Sequence, residues 1–562
     1  MINKVKNISP KYRPDIDGLR ALGVVPLLAY HAFPEFMPGG FISVDIFFVI
    51  SGFLISTILF HGIQNDSFKF LDFYARRIRR IFPALLIVFI FCISFGWVFL
   101  LPDEYRQLGK HICGGSVFLS NFFLWHEIGY FDIDADTKPL LHLWSLGIEE
   151  QFYILWPLLL YVAFKRNLNF FSITLGFTLC SFVLNIDWAY ANKAAAFFSP
   201  LARFWELLSG GLLAWLLLKN VKIIPILKQE IIMERGVLFN FQIIFYRHLT
   251  SIISLVGACM ILSGLYLINR TSNFPGYWAL LPVCGSMLLI GAGHEACVNK
   301  YILSSRIFIW FGLISYPLYL WQWPLLSFLR IIEGETPGIN SRILVALGSI
   351  LLAWITYKYI ETPIRKSKQT RKITILLTLL MFLMGLAGYA IYINNGFPMR
   401  FKQYNHILSQ FGWGNSQKDS LCTSKYLRKN QDFEFCRLAK NSEPTIVLFG
   451  DSFAFQLYSG LSNEVKNTPD NVLSINQGAC VSFLGYSPRE DYALCESSAR
   501  LALDIIISNK NVETVILSAS PYYFNSKTKK LLDIGVVPHS NQKLTSMVQN
   551  YEFYRSTFRG GY

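Results

Sequence analysis

"DIFFVISGFLI", residues 45–55, sets ten apolar or small residues behind a single aspartate, with no turn residue among them. Fourteen residues upstream, His31 closes another apolar run, so an acid and an imidazole stand where two hydrophobic segments meet. Runs of about 18 or more apolar residues read as membrane-spanning helices. Eleven are predicted, near 19–37, 42–60, 81–101, 141–163, 168–188, 200–218, 250–268, 278–292, 306–329, 342–360 and 372–393. The runs 141–163 and 278–292 are the weaker spans, and 111–125 suits a re-entrant or extra helix. Across its 562 residues the chain is 53% hydrophobic, with a mean hydropathy of +0.38. The N-terminus shows no short apolar core followed by a small-residue cleavage site, so no signal peptide is expected.

The net charge of +15 raises the question of nucleic acid, but its distribution answers for a bilayer. With the N-terminus inside, the inner segments hold 24 Lys and Arg and the outer loops 8, a positive-inside pattern. No nucleic-acid partner is expected. An odd number of spans places the residues after about 394 outside, with the N-terminus cytoplasmic. There the texture changes: "TIVLFG" (445–450) and "VETVILSAS" (512–520) read as buried strands of an α/β unit. Four cysteines, Cys422, Cys436, Cys480 and Cys495, fall in this outer part, and an even number in an oxidising compartment permits two disulfides. Three pairings are possible, of which the local ones are favoured. No CxxC or His-rich spacing is present, so no metal is expected.

Ionisable residues inside spans are costly and mark cavities or partners. Arg20 and His31 bracket the first span, about 16 Å apart along one helix. The second span runs back and brings Asp45 near the depth of His31. An aspartate there fixes one imidazole nitrogen and leaves the other as a base; the plainer alternative is a structural bond between helices. "HLWSLGIEEQFY" (142–153) places Glu149 and Glu150 inside a span, about 100° apart, so at most one is expected to face a given cavity. "RFWELLSG" (203–210) carries Arg203 and Glu206, an i,i+3 pair that can neutralise itself. "ARRIRR" (75–80) supplies Arg76, Arg77, Arg79 and Arg80, either a topology signal or a site for an anionic cofactor.

In order, "YRPDIDGLRALGVVPLLAYH", "GGFISVDIFFVISGFLI", "FYARRIRRIFPALL", "PLLHLWSLGIEEQFYILWPLLL", "YPLYLWQWPLL" and "YIETPIRK" resemble the motifs of the acyltransferase-3 membrane acyltransferases. The downstream "GDSF" resembles the subgroup with a fused SGNH domain, which includes O-antigen and peptidoglycan acetylases. The resemblance implies about ten family spans over 1–370, a linking span at 371–395, and an extracytoplasmic SGNH-like domain over 396–562. It implies an inner-membrane enzyme that moves an acetyl group from cytoplasmic acetyl-CoA to hydroxyls of an envelope glycan such as lipopolysaccharide O-antigen. It assigns His31 the catalytic role and Arg20 and the arginine cluster the donor side; Asp45 and Glu150 stand beside His31 as catalytic candidates. His142, Ser145, Glu149, Arg203, Glu206 and Glu361 fall on its motifs. Gln322 stands where the family usually has His. No permanently bound cofactor is expected; acetyl-CoA is the donor.

"TIVLFGDSFAFQLYSGL" (445–461) places Ser452 where a strand gives way to a helix, after Asp451, a usual position for a nucleophile with helix amides nearby. Gly478, in "INQGAC", matches the family's second oxyanion donor. The family's third-block Asn and its terminal Asp-x-x-His have no counterpart, and His539 has no aspartate three residues before it. The SGNH-like domain is therefore expected to be incomplete at its C-terminus, or not an independent catalyst. The main rival reading is a multi-span transporter, whose charged residues line a path; a second is a glycan-binding scaffold.

Overall fold

The computed structural model describes residues 12–127, 135–218, 237–334, 336–400, 419–426, 434–477, 480, 492–518 and 535–538. The chain divides into two units, 1–397 and 398–562.

The first unit is helical. Its first five helices are α1 (Pro14–Ala32), α2 (Ser43–Gln64), α3 (Phe70–Phe99), α4 (Pro102–Ser116) and α5 (Ser120–Glu127). Then come α6 (Leu143–Lys165), α7 (Phe170–Ala191), α8 (Lys193–Phe198), α9 (Pro200–Leu218) and α10 (Val237–Leu267). The last are α11 (Leu280–Ala292), α12 (Arg306–Glu333), α13 (Ile339–Thr356), α14 (Thr362–Lys366) and α15 (Thr370–Ile393). Seven described stretches are long and apolar enough to cross a membrane: Gly40–Gln64, Phe70–Phe99, Phe170–Ala191, Lys193–Leu218, Arg247–Leu267, Ile339–Lys366 and Thr370–Ile393. Three more of the expected spans correspond to α1, α6 and α12; charged side chains interrupt the apolar run of α1 and α6, and Pro317, Gln322, Pro324 and the tyrosines and tryptophans lower that of α12. The expected span at 278–292 is the short helix α11, of 13 residues. The apolar stretch at 111–125 breaks into the end of α4 and most of α5.

Glycines set the close crossings. A Cβ at Gly52 of α2 would lie 1.8 Å from the Leu207 carbonyl oxygen of α9, and one at Gly210 would lie 2.2 Å from that of Val49. α1 approaches α12 the same way: a Cβ at Gly312 would meet the Asp17 oxygen at 1.9 Å. With no Cβ between them the backbones nearly touch, which is how helices gain packing energy where lipid offers no hydrophobic drive. These two crossings fix α1, α2, α9 and α12, the helices that carry much of the charge.

In the second unit five strands, β1 (Phe435–Leu438), β2 (Ile446–Gly450), β3 (Val472–Asn476), β4 (Thr514–Ser518) and β5 (Gly535–Pro538), form one sheet of order β1-β3-β2-β4-β5. β2 runs parallel to β3 and β4; β1 and β5 are antiparallel edges. Three helices, α16 (Ser420–Tyr426), α17 (Ser452–Glu464) and α18 (Tyr492–Ser508), accompany it. The strand period of two sorts the core. Val447, Phe449, Leu473 and Ile475 pack with Ala499, Ala502 and Ile505 of α18, while Leu448, Val472 and Ile516 pack with Ala454 and Tyr458 of α17. The central strand β2 therefore ends between two parallel neighbours, where such sheets place their ligands.

Candidate functional site

Arg20 and His31 lie on one continuous helix, α1, about 16 Å apart along its axis. Each end of that helix gathers a different chemistry.

At the Arg20 end, the helical period of α3 sorts the four arginines. Arg77 and Arg80 turn inward; Arg76 is exposed, and Arg79 donates from Nε to the Ala75 carbonyl at 3.2 Å. Arg77 Nη2 lies 3.7 Å from Glu150 Oε1, and its guanidinium sits 3.9 Å over the Tyr153 ring. The Tyr153 hydroxyl donates to Glu149 Oε2 at 3.0 Å. Both glutamates therefore reach the neighbourhood of Arg77, against the expectation that only one would face a given cavity. The reason is Tyr153, one turn beyond Glu149, whose ring lies under the guanidinium while its hydroxyl holds Glu149. Glu150 stands as a countercharge to Arg77 at this end of the site. Arg20 Nη1 lies 3.4 Å from Asp17 Oδ1, and Glu361, ending a π-helical turn, pairs with Arg365 at 2.9 Å. Arg80 is in electrostatic range of Arg20, Arg77, Arg365 and Glu361, and no ion pair holds it among the described residues.

At the other end, His31 occupies the last turn of α1. Its ring meets the Trp323 indole edge-on, with centroids 4.6 Å apart, and His142 and Arg330 are in electrostatic range. His31 Nδ1 is buried without a hydrogen-bond partner among the described residues. The backbone behind it is held: Arg330 Nη2 donates to the His31 carbonyl at 2.9 Å, and Arg342 Nη1 to that of Ala32 at 3.0 Å. Two arginines from α12 and α13 thus satisfy carbonyls that a helix end leaves open. His142 precedes α6 and lies edge-on to Tyr319, whose hydroxyl donates to the His142 carbonyl and lies 2.7 Å from Ser145 Oγ. Gln322 is fully buried, and neither amide atom has a hydrogen-bond partner among the described residues.

The pairing expected between His31 and Asp45 is not formed. Asp45 Oδ1 lies 3.3 Å from Arg203 Nη2, and Arg203 Nη1 lies 3.0 Å from Glu206 Oε1. The Gly52–Gly210 crossing explains this, because it brings the first turns of α2 and α9 together and offers Asp45 a charge. Arg203 also lies within 6 Å of the Phe48, Trp144 and Phe274 ring centroids. The self-neutralising pair Arg203–Glu206 is present, but as part of a triad.

In the second unit, Ser452 begins α17 directly after β2. Asp451 caps that helix, its carboxylate accepting from the Phe453 amide at 2.8 Å. A Cβ at Gly450 would meet the Ser518 carbonyl oxygen at 1.8 Å, so the turn before the serine requires glycine. Cys422 is bonded to Cys436 and Cys480 to Cys495. Gly478 and His539 lie outside the described residues.

Trp323, Arg330, Tyr153 and Arg365 belong to these clusters without any sequence signal that marks them as site residues. Trp323 stands inside a quoted motif and Arg330 just beyond it; the sequence carries no signal that pairs either with His31.

A helical unit with an arginine-rich cluster at one end of a helix and a histidine cluster at the other, followed by an α/β unit with a serine at a strand–helix turn, has the layout of a membrane group-transfer protein. Sequence comparison places the chain more closely: residues 13–358 match the model of the acyltransferase domain of the acyltransferase-3 family, and residues 421–559 match the SGNH domain fused to such domains. The chain belongs to this family. It is 31% identical over 374 residues to the peptidoglycan O-acetyltransferase OatA of Listeria monocytogenes, covering 65% of this chain and 58% of the relative. It is 30% identical over 371 residues to the O-acetyltransferase OatA of Staphylococcus aureus (64% and 58%). It is 31% identical to the putative peptidoglycan O-acetyltransferase YrhL of Bacillus subtilis (63% and 55%). The matched region spans less than two thirds of these relatives' length. No solved structure gives a significant match.

Proposed function

We propose that the protein O-acetylates a cell-envelope glycan, taking the acetyl group from acetyl-CoA on the cytoplasmic side and delivering it to a sugar hydroxyl outside. The observation that carries this reading is the pair of unlike side-chain clusters at the two ends of α1. Guanidiniums suit the phosphates of a nucleotide-bearing donor, which its charge keeps from crossing a bilayer. An imidazole about 16 Å further along suits the acyl end of such a donor, carried on its flexible arm. Overall the acetyl ester of the sugar forms as the thioester breaks, and the hydroxyl proton ends on the released thiol. His31 serves either as base toward that hydroxyl or as transient carrier of the acetyl group. The N-terminus is cytoplasmic and the SGNH unit extracytoplasmic. The relatives named for peptidoglycan favour a cell-wall glycan over the lipopolysaccharide O-antigen as acceptor.

The test is NMR of the envelope glycan from cells with and without the gene, and with His31→Ala. Acetyl esters that depend on the gene and vanish in the variant are expected. A change in solute flux with no change in ester content would establish the transporter reading instead.

A further inference from the structure

An imidazole that does chemistry has to be held at one angle, and among the described residues no carboxylate bonds to its Nδ1. His31 Nδ1 has no hydrogen-bond partner among the described residues, and Asp45 is engaged by Arg203. The last torsion of a histidine is broad, so an unrestrained ring samples many orientations. Its side-chain neighbour from another helix is Trp323, edge-on at 4.6 Å with the planes 71° apart. That indole is itself fixed: Nε1 donates to the Lys138 carbonyl at 2.8 Å, with the tryptophan buried. Lys138 is fixed in turn, its ammonium 3.1 Å from Glu127 Oε2. Glu127 is a hub, because Lys110 Nζ lies 2.7 Å from its other oxygen and His111 Nε2 lies 2.9 Å from Oε2. Glu127, Lys138 and His111 are all nearly shielded from solvent. Each link joins a different element: α1 to α12, α12 to the segment before α6, and that segment to α5 and α4. One turn pair further along α12, Arg330 holds the His31 carbonyl.

We propose that Trp323 is a positioning residue for His31, kept in place by the Lys138 carbonyl and, behind it, the Glu127 ion cluster. The inference rests on His31 carrying the chemistry. The indole edge limits rotation of the imidazole, and Arg330 limits movement of its backbone. α12 thus orients the ring from one side chain and the helix end from another. A misplacement of about 1 Å at a reacting group can cost about 10²-fold in rate, so a residue that touches neither donor nor acceptor can still govern turnover.

The experiment uses the full chain in proteoliposomes, with acetyl-CoA as donor and a de-O-acetylated peptidoglycan fragment as acceptor. Turnover is measured beside coenzyme A affinity for His31→Ala, Trp323→Ala, Trp323→Phe and Glu127→Gln. Trp323→Ala is expected to lower kcat about 10²-fold with coenzyme A affinity within about twofold of the parent. Trp323→Phe keeps a ring edge but loses the bond to Lys138, and should fall between Trp323→Ala and the parent. Glu127→Gln should lower kcat in the same direction, by less. An inactive His31→Ala with both Trp323 variants at parental kcat overturns the proposal alone. Loss of kcat and donor affinity in parallel in the Phe variant also overturns it, since that marks a structural residue. Parental activity in His31→Ala removes the functional reading on which it rests.

Discussion

Asp45 Oδ1 and Arg203 Nη2 lie 3.3 Å apart where α2 crosses α9, and neither residue is reached by solvent. Glu206 shares the same guanidinium at 3.0 Å and is equally buried. One cation thus serves two acids, which makes the arginine the member whose loss leaves most charge uncompensated. Breaking a buried ion pair by deleting one partner costs about 3–5 kcal/mol. Arg203→Ala is expected at or above that range, and Asp45→Asn below it, because the amide leaves Arg203 still paired with Glu206. Thermal unfolding of the purified protein in detergent orders the two. Equal stabilities would show that the triad does not hold α2 against α9.

The four arginines of α3 should separate by helical face. Arg77 and Arg80 turn inward toward the cluster that includes Arg20, and Arg76 faces out. Removing the Arg77 or Arg80 charge should weaken coenzyme A binding several-fold, and raising the salt concentration should weaken the parent further. Arg76→Ala should bind nearly as the parent does. Titration of coenzyme A into each variant measures this. Indistinguishable affinities across Arg76, Arg77 and Arg80 variants would reduce the cluster to a topology signal.

The helical and α/β halves were legible because each rests on a local pattern: uninterrupted apolar runs for spans such as Phe70–Phe99, and a period of two for strands such as Ile446–Gly450. The partnership of Asp45 was not legible. Depth along two antiparallel helices puts Asp45 and His31 at one level, but which neighbour fills the lateral position depends on the close crossing at Gly52 and Gly210, a fact of tertiary packing. Glu149 and Glu150 failed for a related reason. The 100° rule describes Cβ directions, whereas Glu150 reaches Arg77 directly and Glu149 is linked to it by way of Tyr153. Trp323 was hidden because an indole in a membrane helix is ordinarily packing.

The two disulfides close short loops, with sequence separations of 14 and 15 residues. Loops of this size are worth about 3 kcal/mol each by restriction of the unfolded chain. Cys422 and Cys436 also sit in the core beside Leu473 and Ile475, so their loss removes packing as well. Reductant should lower the unfolding temperature of the second unit, and the double variant Cys422→Ser, Cys436→Ser should reproduce part of that shift. An unfolding temperature insensitive to reductant would show that these bonds carry no stability.

Glu127 gives the protein an acid-sensitive joint. Burial alone would raise its pKa, but His111, Lys110 and Lys138 overcome that and hold the carboxyl well below its ordinary value of 4.5. A folded-state value below the unfolded one contributes stability that is complete above about pH 4.5 and is lost as the pH falls further. Glu127→Gln should therefore reduce the gap in unfolding temperature between pH 7 and pH 4. If the variant and the parent lose stability in parallel over that range, the cluster does not contribute to the acid response.

Ser452 stands where a nucleophile would, at the first turn of α17 after a parallel strand, yet its neighbours are engaged elsewhere. Asp451 is committed to the Phe453 amide as helix cap. Among the described residues of the second unit there is no histidine, and a serine hydroxyl without a base in hydrogen-bond reach is a poor nucleophile. His31, by contrast, lies in the unit that holds the guanidinium cluster. A positioned acid or base contributes about 10²–10⁴-fold, so His31→Ala should lower glycan acetylation by at least about 10²-fold. Ser452→Ala should cost less than that. The full chain should also hydrolyse a simple acetyl ester slowly, with little change on Ser452→Ala. Brisk hydrolysis abolished by that substitution would mean that a base outside the described residues reaches the serine, and the second unit would then count as a catalyst in its own right.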